Sequence, residues 1–178
     1  MQGDGNGWSL SIDGRRRWGR HGAAGLLLRA PLGNGEPAVL LQHRAPWSHQ
    51  GGTWALPGGA RDSHETEADA ALREAHEETG ISADAVRVRA ELITATLDDI
   101  WTYTTVIADT THLLDLVANA ESEELRWVPE PEVTSLPLHP GFASAWPVLR
   151  LVETVPGNGD DLPRVELREE SFVWVIAD

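Results

Sequence analysis

Residues 64–80, HETEADAALREAHEETG, constrain this chain more than any other stretch. Ala68, Leu72, Ala75 and Thr79 recur on one side of a helix expected over 65–79, and Gly80 is placed to cap its C-terminus. Glu74, Glu77 and Glu78 stand at i, i+3 and i+4. At about 3.6 residues per turn, that spacing brings the three carboxylates to one helix face. Two local rules are broken there. Like charges at this spacing repel by about 0.2–0.5 kcal/mol per pair. The last helical turn, where Glu77 and Glu78 lie, disfavours negative charge by roughly 0.3–1 kcal/mol each. A helix selected for stability alone would carry lysine or arginine there, and local rules broken without compensation mark functional positions.

A divalent cation turns this repulsion into attraction. Mg²⁺ takes carboxylate and water oxygens, usually from one or two protein carboxylates per ion, and substrate phosphates often complete its shell. Such ions neutralise a diphosphate, orient the scissile bond and lower the pKa of an attacking water. Arg73 is within salt-bridge reach of Glu77 at i+4 and can also turn to Glu65 at the start of the helix. Gly58-Gly59 allows the backbone to bend sharply and bring a carbonyl near the cluster. The alternative is a solvated acidic face in a chain whose formal charge is −14. The wider pattern decides between the two.

A length of 178 residues, 41% of them hydrophobic, is expected to form one globular domain over 1–178. No apolar run reaches the roughly 18 residues that suggest a membrane span. The polar, glycine-rich N-terminus lacks the apolar stretch of a signal peptide, so a cytoplasmic location is the simplest expectation. The absence of cysteine excludes disulfides, a thiol nucleophile and cysteine-ligated metal. The strong negative charge argues against binding long nucleic acid, which needs a basic face. A small anion needs only a local cluster of arginines, amides or metal ions.

Along the chain, residues 1–7 read as a flexible tail and 8–20 as a hairpin around Asp13-Gly14. Residues 22–29 and 38–44 read as buried strands joined by the turn-rich PLGNGEP, and 45–52 as a loop. A short strand over 53–57 is expected to end at Gly58-Gly59. Beyond the helix, 86–96 and 101–108 form a second β-rich pair, followed by a strand at 124–128 and a turn at 129–133. A helix near 141–152 and a last strand over 170–176 complete the pattern. This order predicts an α/β (α+β) fold, with a mixed β-sheet and helices on its faces.

Residues 59–81, GARDSHETEADAALREAHEETGI, resemble the Nudix box, G-x5-E-x7-R-E-U-x-E-E-x-G-U with U apolar. Gly59, Glu65, Arg73, Glu74, Ala75, Glu77, Glu78, Gly80 and Ile81 fill its fixed positions, Ala75 being smaller than the usual aliphatic residue. The preceding WALPGG resembles the entry to the box in MutT-like members, GAAGLLL their first core strand, and ELRWV a strand downstream. The resemblance covers residues 22–133. It implies an α/β/α sandwich in which the box forms a loop–helix–loop beside a mixed sheet. The implied activity is that of a hydrolase acting on phosphorus-containing acid anhydrides. It would use Mg²⁺, with Mn²⁺ as a substitute, to cleave a nucleoside diphosphate linked to a group X by water attack on phosphorus. By motif position, Glu74, Glu77 and Glu78 are the implied metal ligands, joined by the backbone carbonyl of Gly58 or Gly59. Arg73 and Glu65 are the implied supporting salt bridge. The catalytic base varies in the family. Candidates here are Glu77 and Glu78 of the box and Glu121 from a later loop, with Glu123 and Asp98 behind it.

Outside the box, Arg44 corresponds to a basic residue that often faces the substrate phosphates in the family. Trp47, Trp101 and Tyr103 are candidates to contact a nucleobase, since stacking contributes about 1–3 kcal/mol per base, and core packing is their alternative. His43, His49, His64 and His76 show no paired zinc-ligand spacing such as H-x3-H and read as surface or pocket-edge residues. Arg15, Arg16, Arg17 and Arg20 read as a solvated hairpin, with phosphate contact across a homodimer as the alternative. Residues 138–142 read as the start of the second helix. A non-catalytic ligand-sensing module of the same fold would not need three uncompensated glutamates. An isopentenyl diphosphate isomerase-like enzyme would rely on a reactive cysteine. The sequence leaves X open among ADP-ribose, oxidised nucleoside triphosphates, dinucleoside polyphosphates and nucleotide sugars.

Overall fold

The computed structural model describes residues 3–154 and 165–167. The N-terminal hairpin forms where Asp13-Gly14 places it. Strands β1 (Trp8–Leu10) and β2 (Arg16–Trp18) pair antiparallel with Trp8 opposite Trp18, and the two indoles meet edge to face. The leucine-rich segments give β3 (Ala23–Pro31) and β4 (Pro37–Arg44), an antiparallel pair joined by the expected turn. The short strand expected over 53–57 is instead two elements, β5 (Trp54–Ala55) against β4 and β6 (Gly58–Ala60) against β3. Pro57 divides them: it lacks an N–H for either ladder, while its carbonyl accepts the Leu26 N–H at 2.9 Å.

Helix α1 (Glu67–Thr79) follows, then β7 (Arg87–Leu97), β8 (Trp101–Asp109) and β9 (Ser122–Pro129). A 3₁₀ turn at Glu130–Ser135 leads to α2 (Pro140–Leu149), and β10 (Val152–Thr154) pairs with β11 (Val165–Leu167). The strand expected over 170–176 lies outside the described residues. The main sheet runs β5-β4-β3-β8-β7, with β6 also on β3 and β9 also on β4. Only its β3–β8 pairing is parallel among the described residues, so the sheet is mixed.

Strand alternation sends side chains to both faces of the sheet. Leu26, Leu28, Leu40, Val106 and Ala108 pack against Ala70, Ala71 and Ala75 of α1. Leu27, Val39, Leu41, Ile107 and Val128 pack against Phe142, Ala145, Trp146 and Leu149 of α2. The result is the expected α/β/α sandwich. Arg29 ties the α2 layer to the sheet, donating from Nε to Glu130 at 2.6 Å and from Nη2 to the Leu149 carbonyl at 3.0 Å.

The first residues depart from the expected flexible tail. Residues 3–7 are held by backbone hydrogen bonds from Arg20 to Gly5 O (2.8 Å) and from Gly19 to Gly7 O (2.7 Å), and by contacts to residues 62 and 63. A glycine-rich composition describes how freely a free chain moves. It does not register partners that lie more than 50 positions away.

Candidate active site

Small residues set the distance between α1 and the sheet. Ala70, Ala71 and Ala75 are almost wholly buried, so the helix backbone lies close to β3 and its carboxylates reach the β6 backbone. The helix starts two residues later than the pattern suggested. Thr66 is its N-cap, exchanging 3.1 Å hydrogen bonds with Asp69 in a capping box. Gly80 closes it in the left-handed conformation, φ 75°, as expected.

Both glycines of β6 are closely approached, Gly58 by backbone and Gly59 by a side-chain end. A Cβ on Gly59 would lie 2.5 Å from Glu74 Cδ, and one on Gly58 would lie 2.5 Å from Gly25 Cα. Gly58 N–H donates to Glu78 Oε2 at 2.8 Å. Arg73 organises the opposite side of the cluster. Its Nε and Nη2 donate to the two Glu65 oxygens at 2.6 and 2.9 Å, Nη1 to Glu74 Oε1 at 2.7 Å, and Nη2 also to Ala60 O at 2.9 Å. Glu77 Oε1 lies 3.6 Å from the same guanidinium. Arg73 therefore takes up both partners that its position offered. The Arg73 hydrogen bond holds the Glu65 carboxyl below its usual range, and Glu65 in turn keeps the guanidinium charged.

Glu74 and Glu78 are shifted the opposite way. Glu78 is only 3% exposed. Burial pushes its carboxyl up to about 7, against the charge-favouring Gly58 N–H and Gln42 amide, and Glu74 and Glu121 push it further. Burial also raises Glu74, opposed by Arg73 and reinforced by Glu77 and Glu121. Desolvated carboxylates crowding one another are unfavourable until a cation joins them. The set of glutamate oxygens beside the β6 backbone fits a hard divalent ion such as Mg²⁺.

Glu121 sits in the loop before β9. Its carbonyl accepts the Ala45 N–H at 2.9 Å and its N–H donates to Asn119 Oδ1 at 2.8 Å, while Asn119 Nδ2 reaches Glu77 O at 3.1 Å. This ladder brings Glu121 within electrostatic range of Glu74 and Glu78. The two candidates ranked behind Glu121 are engaged elsewhere. Glu123 pairs with His43 at 3.1 Å, and Asp98 with Arg15 of the N-terminal hairpin at 3.0 Å.

Tyr103 stands on β8 with its hydroxyl over Gly25; burial raises its pKa, with Glu78 and Glu74 acting in the same direction and Arg44 opposing them. Arg44 ends β4, donates from Nε to His49 O at 3.0 Å, and has no carboxylate partner among the described residues. Trp47 is 69% exposed in the adjoining loop. Trp101 is no pocket residue: it is buried with Leu97 and Ala23, and its Nε1 donates to Trp18 O at 3.0 Å, fastening the hairpin. The sequence reading places Gln42 within a strand and His139 at the start of the second helix, and both bear on the site's electrostatics. Gln42 is fully buried, donating to Ser122 Oγ at 2.8 Å, with its Oε1 unpartnered among the described residues. A polar residue inside AVLLQHR was the available signal. His139 caps α2, accepting the Gly141 N–H on Nδ1 at 3.1 Å; burial, with Arg44 and His49 nearby, lowers it to about 4. His64 also acquires neighbours that its spacing did not announce, since ligand-type atoms of Asp4, Asp62 and His64 lie within 4.8 Å of one another.

The NUDIX domain family matches residues 19–152. The chain belongs to the NUDIX family. It is a hydrolase acting on phosphorus-containing acid anhydrides. A Mycobacterium tuberculosis protein with the provisional name 8-oxo-dGTP diphosphatase 3 is 57% identical over 185 residues, covering 98% of this chain and 85% of its own length. A Bifidobacterium longum nucleoside triphosphate pyrophosphatase/Nudix hydrolase fusion protein is 39% identical over 150 residues, 80% of this chain and 30% of the fusion. Among solved structures, the Nudix hydrolase RenU from M. smegmatis superposes with a TM-score of 0.79 at 62% identity, over 82% of this chain and 93% of that one. A C. elegans Ap4A hydrolase shares the fold at a TM-score of 0.60 and 21% identity, over 72% of this chain and 95% of that one. The NUDIX match begins after β2, so residues 3–18 are an addition to the matched region. Among the described residues no helix is long and apolar enough to cross a membrane.

Proposed function

We propose that this NUDIX hydrolase is a Mg²⁺-dependent pyrophosphohydrolase that cleaves a nucleoside diphosphate linked to X, with an oxidised nucleoside triphosphate as its substrate in the cytoplasm. One observation carries the metal assignment: Glu74 and Glu78 are desolvated side by side against the β6 backbone, an arrangement that a divalent cation stabilises. Glu74, Glu77 and Glu78 hold the ion, with the carbonyl of Gly58 or Gly59. When bound, Mg²⁺ neutralises the diphosphate and makes water more acidic. The Arg73–Glu65 pair fixes Glu74. Glu121 takes the proton of the attacking water as its oxygen bonds to phosphorus and the bridging P–O bond breaks. Arg44 receives phosphate charge, and Tyr103 and Trp47 contact the base. The choice of substrate rests on the name of the M. tuberculosis relative.

The test is a panel of 8-oxo-dGTP, dGTP, ADP-ribose, diadenosine tetraphosphate and a nucleotide sugar, each assayed with Mg²⁺ and with chelator. The expected result is chelator-sensitive turnover, with kcat/KM for 8-oxo-dGTP at least about tenfold above dGTP. Turnover confined to another member would reassign X. No turnover of any member would favour the ligand-sensing module.

A further inference from the structure

We propose that the N-terminal segment, residues 3–7, is a positioning element for the metal site, acting through Asp4 and Asp62 on the loop that aims Glu65. The contacts form one continuous chain. Gly5 is anchored to the body of the protein by the Arg20 N–H on its carbonyl at 2.8 Å, and its own N–H donates to Asp62 Oδ1 at 2.7 Å. Asp62 is nine-tenths buried. Asp4 receives the Ser63 N–H at 2.8 Å and the Ser63 hydroxyl at 2.6 Å. Two successive residues of the box loop are thus held from outside by residues that precede the family match.

From that loop the order passes to the carboxylates. Asp62 N–H donates to Glu65 Oε2 at 3.0 Å, Asp62 O accepts the Glu65 N–H at 3.1 Å, and Arg61 Nη1 binds Glu65 O at 2.8 Å. Glu65 then grips Arg73 with both oxygens, and Arg73 holds Glu74 at 2.7 Å. Neither Asp4 nor Asp62 reaches Glu74 directly. Their influence is on where Glu65 sits, and supports of this kind govern the affinity of a metal site. There is little slack at the junction, because a Cβ on Gly5 would clash with the Arg61 carbonyl and one on Gly3 with the Asp62 carboxylate.

The inference rests on Glu74 holding metal, and the experiment separates the two claims. Full-length wild type, Asp4→Ala, Asp62→Ala, Asp62→Asn and Glu74→Gln are compared by calorimetric Mn²⁺ titration without nucleotide. Hydrogen exchange over residues 61–65 and the Mg²⁺ dependence of turnover are followed in parallel. The amide of an asparagine keeps an oxygen for the Gly5 N–H, so Asp62→Asn is the conservative rescue. Asp4→Ala and Asp62→Ala are expected to weaken the Mn²⁺ site that Glu74→Gln removes by about 3- to 10-fold. They should raise the half-activating Mg²⁺ concentration in step, leave nucleotide KM at saturating metal unchanged, and speed exchange over 61–65. Asp62→Asn should stay within about twofold of wild type. The exposed Asp4→Ala tests the idea even if Asp62→Ala fails to fold. Faster exchange with unchanged metal affinity would make the segment merely structural and overturn the proposal. Unchanged exchange would overturn it too. If Glu74→Gln binds Mn²⁺ as wild type does, it is the metal assignment that fails.

Discussion

Glu78 gives the metal-free protein a distinctive pH response. Its carboxyl is raised from 4.5 to about 7, chiefly by burial. The folded state therefore keeps a proton that the unfolded state has already lost. The stability from this group is fully present below pH 4.5 and is lost as pH rises through about 7, amounting to about 3 kcal/mol. His139 works in the opposite sense. Lowered from 6.5 to about 4, it contributes stability present above pH 6.5 and lost as pH falls through about 4. The two windows overlap, so the melting temperature of wild type alone would hide both. The difference between wild type and Glu78→Gln isolates the carboxylate. In chelator the pair should melt together near about pH 4.5, whereas near about pH 8 the variant should melt roughly 5–10 °C higher. Equal melting temperatures near pH 8 would show that Glu78 is not held in a desolvated site. The identity of Glu78 was legible because its spacing from Glu74 is a property of the helix. Its environment was not, since Gln42 and Glu121 arrive from other elements.

At the scale of elements, the site depends on α1 lying close enough to β6 for carboxylates to touch backbone. The two glycines of β6 divide the consequences of disturbing that approach. A Cβ on Gly59 meets the end of the Glu74 side chain, which can swing aside, while a Cβ on Gly58 meets the β3 backbone at Ala24 and Gly25. Gly59→Ala should therefore cost roughly 1 kcal/mol of stability but lower kcat about tenfold or more by displacing Glu74. Gly58→Ala should cost about 1–3 kcal/mol and register first as lost stability. Denaturant midpoints and kcat for both variants check the contrast, and the same profile from both would contradict it. The helix, its Gly80 cap and the Arg73–Glu65 pair were legible in fixed spacings. The start of α1 was misread by two residues because Thr66 and Asp69 form a capping box without the usual glutamate or glutamine. The β5–β6 break was missed because a glycine pair reads as a strand end until β3 supplies a partner.

For the molecule as a whole, the sandwich sets the box carboxylates of one helix against the sheet. The α2 layer is packed with Phe142, Trp146 and Leu149, while the α1 layer uses alanines and keeps its carboxylates at the sheet. The alternation in β3 and β4 made both layers legible. The seating of residues 3–7 was not, because its hydrogen bonds join Asp4 and Gly5 to positions almost 60 residues away. In the proposed function, the α1 carboxylates serve metal-assisted hydrolysis at the expense of stability. The most direct measurement is Mg²⁺-dependent kcat for wild type and Glu78→Gln on whichever nucleotide the panel identifies, at saturating substrate and on protein confirmed folded by its melt. A loss of about 100-fold or more in the variant is predicted, although the metal-free variant is the more stable of the two near pH 8. A Glu78→Gln protein that turns over at the wild-type rate would contradict the account.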